Sequence, residues 1–239
     1  MSEPIDEVPE RVMVVAAHPD DEGGCAATIA KWVKAGTQAF FLFTTNGDKG
    51  TDDIEITSEE LAVIRDGEVR AATAMLGGTE TVILPNRDGE LFYNYEFRGQ
   101  IVRYIRKWRP DAVFTHDPTV IFSEFGVNHA DHRATGLATV DAVFPFARGP
   151  WQYPEHLQEG LQPHRVNTMY FWGAGPNNNV WSDISDSLDL KIEAMSCHTS
   201  QFKDPERMGN SSRERAHKLG EEYGVQYAES FRKLTFRRP

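Results

Sequence analysis

The run Arg11-Val12-Met13-Val14-Val15-Ala16-Ala17 breaks off into His18-Pro19-Asp20-Asp21-Glu22, and this junction restricts the fold more than any other feature of the chain. An unbroken apolar run of strand length has no polar side to show water. It suits a strand covered on both faces, as in a parallel sheet. Proline and three acids follow where a helix would begin, a place at which exposed amides and the helix dipole favour carboxylates. The helix is expected to reach about Ala35 and stop at Gly36, a residue suited to a left-handed cap.

The same alternation then repeats. Residues 38–45 (QAFFLFTT) read as a second buried strand, followed by the polar loop 46–51. Thr57 and Glu60 form a capping-box pattern for a helix reaching Leu76, which Gly77-Gly78 ends. A short strand is predicted over 81–84, a helix over 96–108 with Ile101, Tyr104, Ile105 and Trp108 at helical spacing, and a strand over 112–115. A further helix is predicted from near His132 to about Val143. A Pro- and aromatic-bearing loop follows over 145–164, then a strand over 168–172. Helices are predicted over 188–197 and 207–227, the latter interrupted by Gly209, Gly220 and Gly224. The pattern predicts an α/β fold: a single domain over residues 1–239, with a Rossmann-like, mostly parallel sheet, helices on both faces and a less regular C-terminal part. The first ten residues are expected to be flexible.

Apolar residues at 40% and charged residues at 26% allow a sizeable core. A formal charge of -11 repels phosphate backbones and anionic headgroups, so nucleic acid and membrane are not expected partners. No stretch approaches the roughly 18 apolar residues of a membrane span, and the acidic N-terminus lacks a signal-peptide pattern. The expected location is cytoplasmic. Cys25 and Cys197 read as reduced thiols.

Two segments carry chemistry. His18, Asp20, Asp21 and Glu22 fall at the carboxyl end of the first strand, where open α/β sheets place ligands. Asn128-His129-Ala130-Asp131-His132 follows a later strand and reaches the same rim. Its two histidines, three apart at a helix start, share one face. Each cluster alone has a bland reading as helix cap, turn or surface. Together on one rim they point to a metal. A hydrolytic zinc keeps three protein ligands and one open position, which His18, Asp21 and His132 can supply. Asp20 can then take a proton from water, and His129 can serve the developing oxyanion and the leaving amine. Asp131 is expected to fix the tautomer of His129.

His-Pro-Asp-Asp-Glu with a downstream His-x-Asp-His resembles the LmbE-like, PIG-L family of N-deacetylases. This family includes the deacetylases of mycothiol and bacillithiol biosynthesis and of N-acetylglucosaminyl-phosphatidylinositol. Further likenesses are Thr45-Asn46-Gly47-Asp48-Lys49-Gly50, Arg65 with Glu68, Leu76 and Gly77, Cys197-His198-Thr199-Ser200-Gln201, and Glu229-Ser230-Phe231. Ala130 and Asp48 depart from the Pro and Glu usual in the family. The resemblance implies Zn2+ on His18, Asp21 and His132 (Fe2+ being another divalent candidate), Asp20 as base and His129 as acid or oxyanion partner. It also implies that Arg65 contacts substrate, with Asp48 beside it in the loop, and that the substrate is an N-acylated small molecule such as an amino sugar. A homo-oligomer is compatible with the family.

The aromatics Phe92, Tyr93, Tyr95, Phe122, Phe125, Trp151 and Tyr153 flank the rim and can stack on a sugar or pack loops; Asn177-Asn178-Asn179 can line the site or form a turn. Two rival readings stand beside the hydrolase. Two histidines and a carboxylate also describe a non-haem iron oxygenase, although such sites usually sit on jelly rolls. A non-catalytic metal- or nucleotide-binding module is the other. The first strand's loop lacks Gly-x-Gly-x-x-Gly, and a purely structural zinc would not require Asp20.

Overall fold

The structure, a computed structural model, describes residues 2–123 and 126–236. Its strands are β1 (Glu3–Pro4), β2 (Arg11–Ala16), β3 (Gln38–Phe43), β4 (Glu80–Ile83), β5 (Ala112–His116), β6 (Phe122–Ser123), β7 (Gly126–Val127), β8 (Thr168–Trp172), β9 (Val180–Asp183) and β10 (Ala228–Thr235). Its helices are α1 (Ala26–Lys34), α2 (Ser58–Met75), α3 (Tyr95–Trp108), α4 (Ala130–Asp141), α5 (Glu155–Gln158), α6 (Leu188–Met195) and α7 (Pro205–Tyr223). Eight strands form one sheet in the order β1-β9-β10-β8-β5-β2-β3-β4, and β6 pairs with β7. Within the eight-stranded sheet of the described residues, β10 runs antiparallel to its two neighbours and the other pairs are parallel. The mostly parallel α/β architecture expected from the sequence is the one observed.

The buried run behaves as its composition dictates. Val12 to Ala17 are all 0% exposed. Alternate side chains of β2 and β3 enter two different cores, because successive Cβ atoms of a strand face opposite sides. Val12, Val14, Phe41 and Phe43 pack against α1 and α2 through Ile29, Trp32 and Val69. Met13, Val15, Phe40 and Leu42 pack against α3 and α4 through Ile101, Ile105 and Ala138.

From β2 the chain winds through β3 and β4 to one edge, then returns to place β5 and β8 on the other side. The order therefore reverses between β2 and β5. Outside the carboxyl ends of those two strands lies the crevice where doubly wound sheets bind ligands. His18 follows β2 and His116 ends β5.

The Thr57–Glu60 capping box is present in both directions, and Gly77 follows α2 with φ +76°. Gly36 is left-handed as expected, with φ +105°. Three local expectations change. Asp20 to Glu22 do not cap the first helix: Asp21–Gly24 form a 3-10 turn without a side-chain cap, and α1 starts at Ala26. The fourth helix starts at Ala130, so His129 is its N-cap rather than a residue within it. The last helix ends at Tyr223, where Gly224 takes φ +72°, and residues 228–235 form β10. Within the N-terminal segment read as flexible, Glu3 and Pro4 pair in parallel with Val180 and Trp181. Both cysteines are free thiols.

Candidate functional site

His18, Asp21 and His132 converge although 114 positions separate the two histidines. Nδ1 of His18 lies 3.2 Å from Oδ2 of Asp21 and 3.2 Å from Nε2 of His132. Nε2 of His132 lies 3.2 Å from Oδ1 of Asp21. The strand end fixes His18, the 3-10 turn returns Asp21 over it, and the first turn of α4 brings His132 across. The Asp21 carboxylate also accepts the His18 amide at 2.7 Å, which closes the turn.

The donor set fits a divalent cation. A ligating histidine gives its far N–H to an acceptor, which leaves the near nitrogen's lone pair for the ion. Nε2 of His18 faces Oδ1 of Asp88 at 3.1 Å and Oδ2 of Asp131 at 3.2 Å. Nδ1 of His132 faces Oδ1 of Asn128 at 3.1 Å. Both far nitrogens thus have acceptors. Burial disfavours a charged His18, yet bonds to Asp131, Asp21 and Asp88 push its pKa up to about 12. A pocket that holds a proton so firmly has negative charge to offer a metal ion.

His116 also belongs to the cluster, and sequence reasoning missed it. Its ring stacks on His132, with centroids 4.1 Å apart, and Nε2 lies 3.4 Å from Oδ2 of Asp21. Both of its nitrogens, however, face donors: the Ala17 amide at 3.1 Å and the Trp172 indole at 3.1 Å. A neutral imidazole has a single lone pair, and whichever nitrogen carries it already faces one of these donors, which favours His18 over His116 as the ligand. Burial, reinforced by the neighbouring histidines, lowers its pKa to about 4 against the pull of Asp21, and the ring is neutral. The available signal was its position at a strand end next to Asp117.

Asp20 lines the same cavity as Asp21 but has a different partner. Its Oδ2 accepts from Nη2 of Arg65 at 2.9 Å. Burial first, then the charge of Asp21, raises the Asp20 pKa to about 7, with Arg65 acting in the opposite direction. His129 caps α4: its Nδ1 accepts the Asp131 amide at 3.2 Å. With Nδ1 accepting, a neutral ring carries its proton on Nε2. His18, His129 and His132 present nitrogens within 4.8 Å of one another. Burial and the charge on His18 lower the His129 pKa.

Three expected roles are redrawn. Asp131 does not orient His129 with its carboxylate. That carboxylate contacts His18 and accepts the Gly89 and Leu91 amides at 2.6 and 3.2 Å. Arg65 is 2% exposed and its guanidinium donates to the Gly47 carbonyl, the Pro19 carbonyl and Asp20, so it holds the turn after β2. Asp48 is 4% exposed; it accepts from Nε of Arg87 at 2.8 Å and from the Asp88 amide at 2.9 Å. It fixes the turn that delivers Asp88, which sequence reasoning did not single out.

Asp20, Asp21, His116 and His132 floor a cavity of about 1180 Å3, walled by Phe122 and Trp172 among others. Its size is ample for a small-molecule ligand. Of the aromatics expected at the rim, Phe122 lines this cavity; Phe125 lies outside the described residues. Tyr153 is buried and its hydroxyl donates to the Tyr95 carbonyl, so it packs a loop onto α3. Phe92, Tyr95 and Trp151 are exposed away from the metal ligands' cavity. Asn177 lines the cavity, whereas Asn178 and Asn179 pin the chain to β10.

Known proteins resemble this chain over most of its length. Residues 13–143 match the PIG-L, GlcNAc-PI de-N-acetylase family model. The diacetylchitobiose deacetylase of Thermococcus kodakarensis is 35% identical over 203 residues, covering 84% of this chain and 73% of that one. A probable N-acetyl-alpha-D-glucosaminyl L-malate deacetylase of Bacillus anthracis is 28% identical, covering 80% and 81%. Among solved structures, N,N'-diacetylchitobiose deacetylase from Pyrococcus horikoshii superposes with a TM-score of 0.87 at 32% identity, over 95% of this chain and 84% of that one.

Proposed function

The chain belongs to the PIG-L, GlcNAc-PI de-N-acetylase family, and from that premise we propose that it is a zinc-dependent hydrolase that removes an N-acetyl group from an amino sugar or related small molecule. The observation that carries the proposal is the triangle of His18 Nδ1, Asp21 and His132 Nε2, each pair 3.2 Å apart, two of whose members, Asp21 and His132, line the cavity. The named relatives act on N-acetylated sugar derivatives, and this supports the substrate class.

His18, Asp21 and His132 would hold the ion and leave a position open. Zinc, when bound, supplies positive charge that polarises an amide carbonyl and brings the pKa of a water to around 7. Asp20 takes the proton of the attacking water; a carboxylate lining the cavity beside the ligands is suited to that task. His129 offers its Nε2–H to the oxygen on which negative charge develops. Asp20 then passes the proton it took from water to the leaving nitrogen, so that the C–N bond breaks to acetate and a free amine. Arg65 keeps the Asp20 carboxylate on the cavity side of the turn. Two histidines and a carboxylate also serve non-haem iron enzymes, but Asp20 and the family membership favour hydrolysis.

The test joins metal analysis of the purified protein to an acetate-release assay over N-acetylated sugars. The expected outcome is about one zinc per chain and acetate from at least one sugar. A metal-free protein that stays inactive when zinc is added would overturn the proposal.

A further inference from the structure

Asp20 has φ 126° and ψ -19°, a backbone conformation that an L side chain rarely adopts. Such a residue persists only where its surroundings over-determine it, and these positions cluster at functional sites. Arg65 supplies part of the restraint through Pro19 and Asp20. A second part comes from Glu22, whose Oε2 accepts the Asp20 amide at 2.9 Å. Glu22 is 0% exposed, so its charge has to be balanced inside the protein. His198, also 0% exposed and 176 positions away, provides the balance: its Nε2 donates to Oε1 of Glu22 at 2.5 Å.

The segment after His198 docks on the helix that carries Arg65. Thr199 Oγ1 and Ser200 Oγ donate to Glu68 at 2.8 and 2.6 Å, and Gln201 donates to the Gly50 carbonyl at 3.0 Å. The segment Cys197–Gln201 therefore ties the turn after β2 to α2 and to the loop after β3. Among the described residues, neither the His198 nor the Glu22 side chain makes a hydrogen bond or ion pair with the candidate ligands His18, Asp21 and His132, although Glu22 follows Asp21 in the chain.

We propose that Glu22 and His198 are positioning residues that lock the catalytic turn, holding Asp20 in its left-handed conformation so that its carboxylate meets the attacking water. The proposal rests on the reading of Asp20 as general base. It gives a task to the His-x-Ser-Gln segment, which no step of the chemistry uses directly.

The experiment has a kinetic arm and a melting arm, both on the full chain. His198→Leu should lower kcat ~10-fold or more while bound zinc and KM stay near the wild-type values. His198→Gln keeps a donor for Glu22 and should recover much of kcat. A wild-type kcat in His198→Leu overturns the proposal, as does parallel loss of zinc, KM and kcat, which would mark general damage. In the second arm Asp20→Gly is compared with Asp20→Ala, neither having a carboxylate. Glycine takes a positive φ without penalty, so the Gly variant should melt about 2–8 °C higher. Equal melting temperatures, or a more stable Ala variant, overturn the strained turn. If the wild-type protein releases no acetate, the deacetylase reading fails while the melting arm still decides whether Asp20 is strained.

Discussion

The carboxylate of Asp131 lies 3.2 Å from Nε2 of His18, whereas only its backbone N–H reaches His129. Asp88 joins it on the same nitrogen at 3.1 Å. The loop around Gly89 anchors Asp131, and Asp48 anchors Asp88, so two carboxylates fix His18 with its Nδ1 lone pair toward Asp21 and His132. Outer carboxylates of this kind orient a ligand and raise its basicity.

Asp131→Asn should therefore weaken zinc binding ~10–100-fold, and Asp88→Asn should act in the same direction. Competition against a chromogenic chelator reads the affinity directly. If Asp131 served His129 alone, zinc affinity would be unchanged and only turnover would fall.

Arg65 sets the protonation of Asp20. In the metal-free protein burial and Asp21 hold that pKa at about 7, and Arg65 is the chief influence lowering it. Because the folded value lies above the ordinary aspartate value of 3.8, ionising Asp20 costs stability. The associated stability is present below pH 3.8 and lost as pH rises toward 7. A bound cation moves the value down; removing Arg65 moves it up in either state. Arg65→Gln should shift the acid limb of kcat/KM to higher pH, with the substrate's KM little altered. An unshifted limb with a raised KM would return Arg65 to the role of a substrate contact.

How far the sequence reaches depends on whether a signal is local. The buried strand at Val12–Ala17, the capping box at Thr57 and the strand at residues 168–172 were legible because periodicity and caps act within a few residues. The convergence of His18, Asp21 and His132 was legible because two charged motifs on one rim of the sheet have few other uses. β9 and β10 were not, since β10 places Glu229, Arg232 and Lys233 in a strand and its pairing partners lie far off in sequence. Asp88 and His116 escaped for the same reason: each is ordinary in its own segment and acquires a role only when the sheet brings its strand end to His18 or Asp21. The tasks of Asp131, Arg65 and Asp48 depend on side-chain direction, which motif spacing does not encode.

The wall of the cavity is set by a close approach. A Cβ on Gly24 would lie 2.7 Å from the Trp172 indole, and that indole is held from the other side by His116. Gly24→Ala should cost about 1–3 kcal/mol through overpacking and push Trp172 into the cavity it lines. Thermal melts give the first effect and a rise in KM the second. Wild-type values of both would mean that the wall yields freely.

His129 carries two tasks that substitution can separate. Its Nδ1 accepts the Asp131 amide as the N-cap of α4, and this leaves the proton on Nε2 for the reacting oxygen. Asparagine is a good N-cap but has no atom where Nε2 stands, whereas alanine supplies neither function. His129→Asn should therefore keep the melting temperature close to wild type while kcat falls ~100-fold. His129→Ala should show the same loss of kcat together with about 1 kcal/mol of destabilisation from the missing cap. A loss confined to KM in both variants would make His129 a binding residue. Full turnover in His129→Asn would leave it as a helix cap and nothing more.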